Sequence, residues 1–125
     1  FTSPAMEGRL HEIPCDYSGP DLAAVASACG LTEKEVIAIH SEKIYTVFFL
    51  GFLPGFAYMG TTDERITASR KDKPTSIQAG DIGLAGNQTG IYPSASPGGW
   101  QIIARTIQIP HFKAGDRVRF IPVNA

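Results

Sequence analysis

The sequence comprises 125 residues, of which 43% are hydrophobic, and its 11 Lys and Arg residues nearly balance 12 Asp and Glu residues, for a net charge of −1. A chain of this size can bury a core as one domain. Its balanced charge, without runs of one sign, argues against binding to nucleic acid or an anionic membrane. The longest apolar run, Val47–Leu53, is far shorter than the roughly 20 residues that span a bilayer. We therefore expect a soluble, cytoplasmic protein.

The first residues and the cysteines set further limits. Residues 1–6 show no periodicity and are interpreted as a cloning remnant, so residues 7–125 are predicted to form a single domain of a longer protein. Cys15 and Cys29 lack the spacing of a metal knuckle and are predicted to be reduced thiols. The three His residues are too scattered to indicate a metal site.

Two short helices are predicted near the start of the chain. Ser18 is the expected N-cap of the first helix, Asp21 completes a pair that resembles a capping box, and Gly30 is a C-terminal stop. Thr32 and Glu35 repeat the same spacing at the start of the second helix. The pattern predicts a helical hairpin.

The rest of the chain has the composition of β-strands. The stretch KIYTVFFLGF is rich in β-branched and aromatic residues and is apolar on both faces, which indicates a buried strand. Further strands are predicted in Asp81–Gly86, Gly99–Thr106 and Asp116–Val123, separated by Gly- and Pro-rich connections. The expected fold is mainly β, a compact barrel or sandwich preceded by the helical hairpin.

Two segments carry candidate binding residues. In GFLPGFAYMG, Pro54 fixes a turn that presents Phe52, Phe56 and Tyr58 as a pocket wall or partner anchor, or as an aromatic cap on one end of a barrel. The stretch GNQTGIYPSASPGGWQIIART is interpreted as a loop with glycines, neutral hydrogen-bonding groups and aromatic rings. It contains no Cys, His, Asp or Glu, so we expect it to bind a ligand without reacting with it, or to be purely structural.

A few charged or titratable residues are candidates for chemistry. His40 is the only His placed to reach both segments and is the best candidate proton carrier, although a structural role is the alternative. Arg70 could present its planar fork to a carboxylate, or belong to a solvated turn. Asp81 and Asp116 are expected to serve turns, and His11 is placed near the surface.

The motifs GPDLAAVA, GFLPGFAYMG, AGDIGLAGNQTGIYPSASPGGWQIIART and AGDRVRF resemble those of the allophanate hydrolase subunit 1 family. The resemblance extends from about Glu12 to Val123 and implies a cyclophilin-like β-barrel, usually preceded by a smaller α/β domain. It also implies a groove at these matching positions: His40, Phe52, Pro54, Phe56, Tyr58, Arg70, Gln88, Thr89, Tyr92, Gly98, Gly99 and Trp100.

The family includes the B subunit of bacterial ATP-dependent 5-oxoprolinase, so the resemblance implies a non-autonomous subunit of an amide or lactam hydrolase. ATP would be a cosubstrate of the assembled complex, with no tightly bound cofactor. The implied partners are a homologous second subunit of the allophanate hydrolase subunit 2 type and a lactam-utilisation subunit. The family also includes KipI-type inhibitors of sporulation histidine kinases, and the alternative is therefore a protein-binding module that docks its aromatic residues on a kinase.

Overall fold

A computed structural model of the chain describes residues 8–50 and 56–123. The elements, in chain order, are β1 (Leu10–Cys15), α1 (Leu22–Cys29), α2 (Glu33–Glu42), β2 (Ile44–Leu50), β3 (Ala57–Gly60), β4 (Thr75–Ile77), β5 (Asp81–Ala85), β6 (Gln88–Ile91), β7 (Ser96–Gly98), β8 (Gln101–Arg105) and β9 (Arg117–Pro122). The interpretation of residues 1–6 as a remnant lies outside the described residues.

Seven of the strands form one sheet in the order β1-β9-β2-β3-β6-β5-β8. β1 and β9 are parallel, whereas the other neighbouring pairs are antiparallel. The chain just after β1 meets the edge of β8, because Asp16 and Arg105 exchange backbone hydrogen bonds of 2.8 and 2.9 Å. The sheet is therefore a nearly closed barrel, as predicted. β4 and β7 form a separate two-stranded ribbon.

Both predicted helices are present, but the first begins later than predicted. α1 starts after Asp21, and Ser18 does not cap it, because the intervening chain is bonded to β8: Gly19 N donates to Ile103 O. Gly30 ends α1 in the left-handed conformation, with φ of 70°. The capping box of α2 is confirmed, because the Thr32 hydroxyl accepts from Glu35 N and the Glu35 carboxylate accepts from Thr32 N.

The segment Gly86–Thr106 is more regular than predicted. The interpretation as a loop is wrong for Gln88–Ile91 and Ser96–Gly98, which form β6 and β7, whereas β8 lies within the strand predicted at Gly99–Thr106. β1 was also not predicted, since its pairing with β9 brings together strands from opposite ends of the chain. Propensity alone gives little indication of such a long-range parallel pair.

The buried side chains form two clusters. The larger fills the barrel and includes residues of both helices. The smaller lies near the β4–β7 ribbon and contains Phe56, Ile77, Ala85, Tyr92, Trp100 and Ile102. Cys15 and Cys29 are both free thiols, as predicted. Neither helix in the described part of the chain has the length and apolar character needed to cross a bilayer.

Candidate functional site

A cavity of about 310 Å³ opens beside the smaller cluster. Its lining comprises Tyr58, Arg70, Pro74, Tyr92, Pro97, Gly98, Gly99 and Trp100. Six of these were predicted as site residues, whereas Pro74 and Pro97 were missed. The sequence pattern puts both prolines in Pro- and Gly-rich connections, which alone do not indicate a cavity, whereas the structure places Pro97 in β7.

The aromatic residues of the cavity are held in place by Phe56. Its ring lies edge-on to the rings of Tyr58, Tyr92 and Trp100, with centroid distances of 4.9, 5.0 and 5.4 Å. Such contacts are favoured by the opposite charges of ring edge and ring face. Because Phe56 is completely buried, it supports the cavity from beneath and presents no surface to a partner protein. The prediction that Phe56 anchors a partner is therefore wrong.

Arg70 is the charged residue among the described residues that line the cavity. It lies in the connection between β3 and β4 and is exposed to solvent. Burial raises the pKa of Tyr92 to about 12, and the positive charge of Arg70 partly opposes this shift. Tyr92 is therefore a neutral phenol at physiological pH. The cavity thus combines a guanidinium group with aromatic rings, a combination suited to a small ligand with one carboxylate.

Gly98 allows β7 to approach the cavity wall closely. A Cβ atom at this position would lie 2.5 Å from Ile77 Cδ1 and 2.7 Å from the Tyr92 hydroxyl oxygen. A Cβ atom at Gly99 would lie no closer than 3.7 Å to a neighbouring atom, which is ordinary contact. The two glycines therefore differ: the first is required by packing, and the second is not.

A larger cavity of about 420 Å³ lies between α1 and the chain preceding Arg70. Its described lining consists of Ala24, Val25, Ala28, Thr67, Ala68, Ser69, Gly86 and Gln101. These side chains are small or neutral and include neither an aromatic ring nor a charge that could orient a ligand. We therefore assign the candidate site to the smaller cavity.

His40 lies in the barrel core and not at the cavity, and none of its surface is exposed. Its ring stacks on Phe120 with a centroid distance of 4.7 Å. The Thr89 hydroxyl donates to Gly83 O, so it must accept from His40 Nε2 over 3.0 Å, and Nδ1 then accepts from the Tyr17 hydroxyl. Both ring nitrogens are thus occupied, which gives His40 the structural role named as the alternative.

Burial lowers the pKa of His40 to about 3, below its ordinary value of 6.5. Unfolding exposes the ring, so the unfolded chain binds a proton below pH 6.5 that the folded chain does not bind. The free energy of unfolding therefore keeps its full contribution from neutral His40 above pH 6.5 and loses that contribution progressively as the pH falls toward 3. We expect the free energy of unfolding to decrease by about 2–3 kcal/mol from this residue between pH 7 and pH 4.5. Urea titrations at several pH values in this range measure how the free energy of unfolding depends on pH. In a variant without His40 this dependence should be weaker.

The remaining predicted residues fall into three groups. Thr89 is buried against His40, and Gln88 lies at the opposite end of β6 from Tyr92, about 13 Å along the strand. Neither lines the cavity. Phe52 and Pro54 lie outside the described residues.

His11 differs from its predicted placement near the surface. It is buried, with its Nε2 atom 2.8 Å from the Asp116 carboxylate and its ring against Phe112. Burial opposes ionisation of Asp116, but hydrogen bonds from His11 and from the backbone N–H groups of Lys113 and Arg9 outweigh it and lower the pKa of this carboxyl. Asp116 therefore serves a turn, as predicted, and in addition ties β1 to β9.

Sequence comparison assigns the chain to a family. The sequence profile described as carboxyltransferase domain, subdomain C and D, matches residues 2–119. The chain belongs to this family. This carboxyltransferase-domain chain is 45% identical to the B subunit of 5-oxoprolinase from Escherichia coli O157:H7 and 44% identical to that from Bacillus subtilis (strain 168). Each alignment covers 93% of the chain and 59% or 54% of the relative, so the chain spans little more than half of their length. The resemblance found in its motifs is confirmed.

Three solved structures have a fold similar to that of this chain. Protein PH0987 from Pyrococcus horikoshii is 45% identical to this chain, with a TM-score of 0.85. The match covers 96% of this chain and 62% of the PH0987 chain. TTHA0988 is 38% identical, with a TM-score of 0.88 over 94% of this chain and 26% of its own. The urea amidolyase of K. lactis is 17% identical, with a TM-score of 0.78 over 94% of this chain and 10% of its own, and this likeness concerns the fold alone.

Proposed function

We propose that this chain is the ligand-binding barrel of a subunit of an ATP-dependent 5-oxoprolinase, which converts 5-oxoproline to glutamate. The observation that carries the proposal is the cavity in which Arg70 faces a wall formed by Tyr58, Tyr92 and Trp100. The relatives named as B subunits of 5-oxoprolinase support the same function.

The chemistry of 5-oxoproline suits this cavity. The molecule is a five-membered lactam with one carboxylate, and a guanidinium group binds a carboxylate through two parallel hydrogen bonds. The flat ring can lie against Tyr58 and Trp100, while the neutral Tyr92 phenol adds polar character to the wall. A volume of about 310 Å³ is at the small end of the range for ligand cavities, consistent with a small substrate.

The cavity does not suit ATP. The described lining offers a single positive charge and lacks the glycine-rich phosphate loop that cradles a triphosphate. Nor does it contain a nucleophile held by a positioned base. We therefore assign ATP binding and the phosphoryl transfer to other parts of the assembled enzyme. Its remaining subunits would be a homologous second subunit of the allophanate hydrolase subunit 2 type and a lactam-utilisation subunit.

The test uses the full-length subunit with its partner subunits. Glutamate release that requires both 5-oxoproline and ATP is measured with each subunit omitted in turn. The proposal predicts that release stops when this subunit is left out. Undiminished glutamate release without this subunit would contradict the proposal. If no combination of folded subunits releases glutamate, the protein-binding alternative is favoured. Binding of the subunit to a histidine-kinase dimerisation domain would then test that alternative.

Arg70→Met is expected to raise the KM for 5-oxoproline about 10- to 100-fold, because the carboxylate loses a charge-assisted hydrogen bond. Arg70→Lys keeps the charge without the planar fork and should give an intermediate KM. Steady-state kinetics of the assembled enzyme measure both. The matched control is Arg117→Met, which removes an exposed guanidinium group from β9. Equal KM values for Arg70→Met and this control would contradict a carboxylate contact at Arg70.

A further inference from the structure

Arg70 is the residue on which carboxylate recognition rests in the proposed function, yet it lies outside the helices and strands. A long side chain on an untethered connection loses conformational entropy when it binds a ligand, and this loss lowers affinity. Recognition by Arg70 therefore benefits from contacts that fix its backbone before the ligand arrives.

The residues on either side of Arg70 are both bonded to the chain around Trp100, one to Gly99 and the other to the first residue of β8. Gln101 Nε2 donates to Ser69 O over 2.9 Å, and Lys71 N donates to Gly99 O over 2.8 Å. The backbone of the Arg70 segment thus lies along the start of β8, next to Trp100. These bonds set the distance between the segment and the aromatic wall.

An ion pair holds the same segment from the other side. Lys71 Nζ lies 2.7 Å from Asp21 Oδ2, and it also donates to Thr75 Oγ1 of β4 over 3.0 Å. The same Asp21 oxygen accepts from Ile102 N of β8 over 2.7 Å. One carboxylate therefore joins the start of α1, the strand β8 and the segment that carries Arg70.

This ion pair is better shielded than those on the surface. The side chains of Lys71 and Asp21 are 18% and 17% exposed, whereas those of Arg119 and Glu12 in a surface pair are 48% and 59% exposed. Solvent and salt screen a partly buried pair less than an exposed one. Asp21 provides no side-chain hydrogen bond to the helix that it precedes, so its carboxylate serves these tertiary contacts instead.

We propose that the Asp21–Lys71 ion pair is a positioning device for Arg70, which sets the affinity of the cavity for a carboxylate ligand without touching that ligand. The inference rests on the proposed function of the cavity. Neither Asp21 nor Lys71 lines it, and the Lys71 ammonium group is already engaged by Asp21 and Thr75. Both are positioning residues and not catalytic ones.

The kinetic test uses the assembled enzyme with Lys71→Met, which removes the ammonium group but keeps most of the side-chain stem. We expect the KM for 5-oxoproline to rise about 3- to 10-fold, while kcat stays within about twofold of the parent. Asp21→Asn should act in the same direction, because its oxygen can still accept from Ile102 N while the charge is lost. Lys71→Arg keeps the ion pair and should restore the parental KM.

The matched control is Lys73→Met, which removes the same charge two positions away from an exposed side chain. An unchanged KM in Lys71→Met would overturn the proposal, as would the same change in Lys73→Met. If Lys71→Met and Lys71→Arg both lose the cooperative urea transition, the Lys71 side chain is required for folding whether or not the ion pair is kept, and the positioning role is also overturned.

A second measurement needs no ligand and separates this inference from the proposed function. The NMR order parameter of the Arg70 backbone amide is expected to be near that of rigid backbone, about 0.85, in the parent subunit and to fall toward about 0.6 in Lys71→Met. If the assembly does not turn over 5-oxoproline, the proposed function fails while this measurement still decides the inference. An unchanged order parameter in Lys71→Met would then overturn it.

Discussion

Replacement of His40 by Leu is expected to lower the free energy of unfolding by about 3 kcal/mol. The two side chains have similar volume, so the change removes hydrogen bonds without opening a large cavity. Tyr17 and Thr89 each lose a partner in the core, where neither hydroxyl can turn to water instead. Urea denaturation followed by circular dichroism measures the effect.

The same variant separates the structural role of His40 from the catalytic role suggested by its sequence position. We expect His40→Leu to keep the kcat of the parent per folded subunit when it is assembled below its unfolding transition. His40→Gln can still accept and donate hydrogen bonds and should lose less stability than His40→Leu. A kcat lowered by orders of magnitude together with parental stability would show that the ring acts in the reaction.

Replacement of Gly98 by Ala is expected to cost about 1–3 kcal/mol of stability and most of the affinity for 5-oxoproline. The added methyl group would overlap Ile77 Cδ1 and the Tyr92 hydroxyl, at 2.5 and 2.7 Å. Either β7 moves outward or the Tyr92 ring moves, and both movements change the shape of the cavity. Urea denaturation and steady-state KM values measure the two consequences.

Gly99→Ala is a closely matched control, because it adds the same methyl group one residue later. Neither glycine has the left-handed backbone that would make Ala unfavourable, and a Cβ atom at Gly99 has no contact shorter than 3.7 Å. We expect its stability to remain within about 0.5 kcal/mol of the parent. Similar losses in both variants would indicate that this turn requires Gly for reasons other than the packing of Tyr92.

Local signals in the sequence predicted the elements that depend on near neighbours. The capping box between Thr32 and Glu35 and the stop at Gly30 involve residues only a few positions apart, so spacing was sufficient. The apolar stretch of β2 likewise indicated a strand, but the expectation that both faces are buried is wrong, because Ile44, Phe48 and Leu50 are exposed. The aromatic wall was found because Tyr92 and Trp100 flank glycines in a segment without reactive side chains.

Tertiary contacts decided the features that the sequence did not reveal. Asp21 has the spacing of a capping residue, but its carboxylate binds Lys71 and a β8 amide, which are remote in sequence. Because the segment after Gly86 forms strands, successive residues of β6 have different surroundings, and Thr89 points into the core beside His40. A groove predicted from motif positions alone cannot distinguish the two faces of a strand.

The β4–β7 ribbon is separate from the seven-stranded sheet, and this has a consequence for protein engineering. The ribbon contributes Pro97 and Gly98 to one side of the cavity, while Tyr58 on β3 belongs to the main sheet. Exposed positions of the ribbon and its flanking turns can be randomised without removing a hydrogen bond of the barrel. A library restricted to these positions, with Thr75, Ile77 and Gly98 kept, would alter ligand selectivity on an unchanged scaffold.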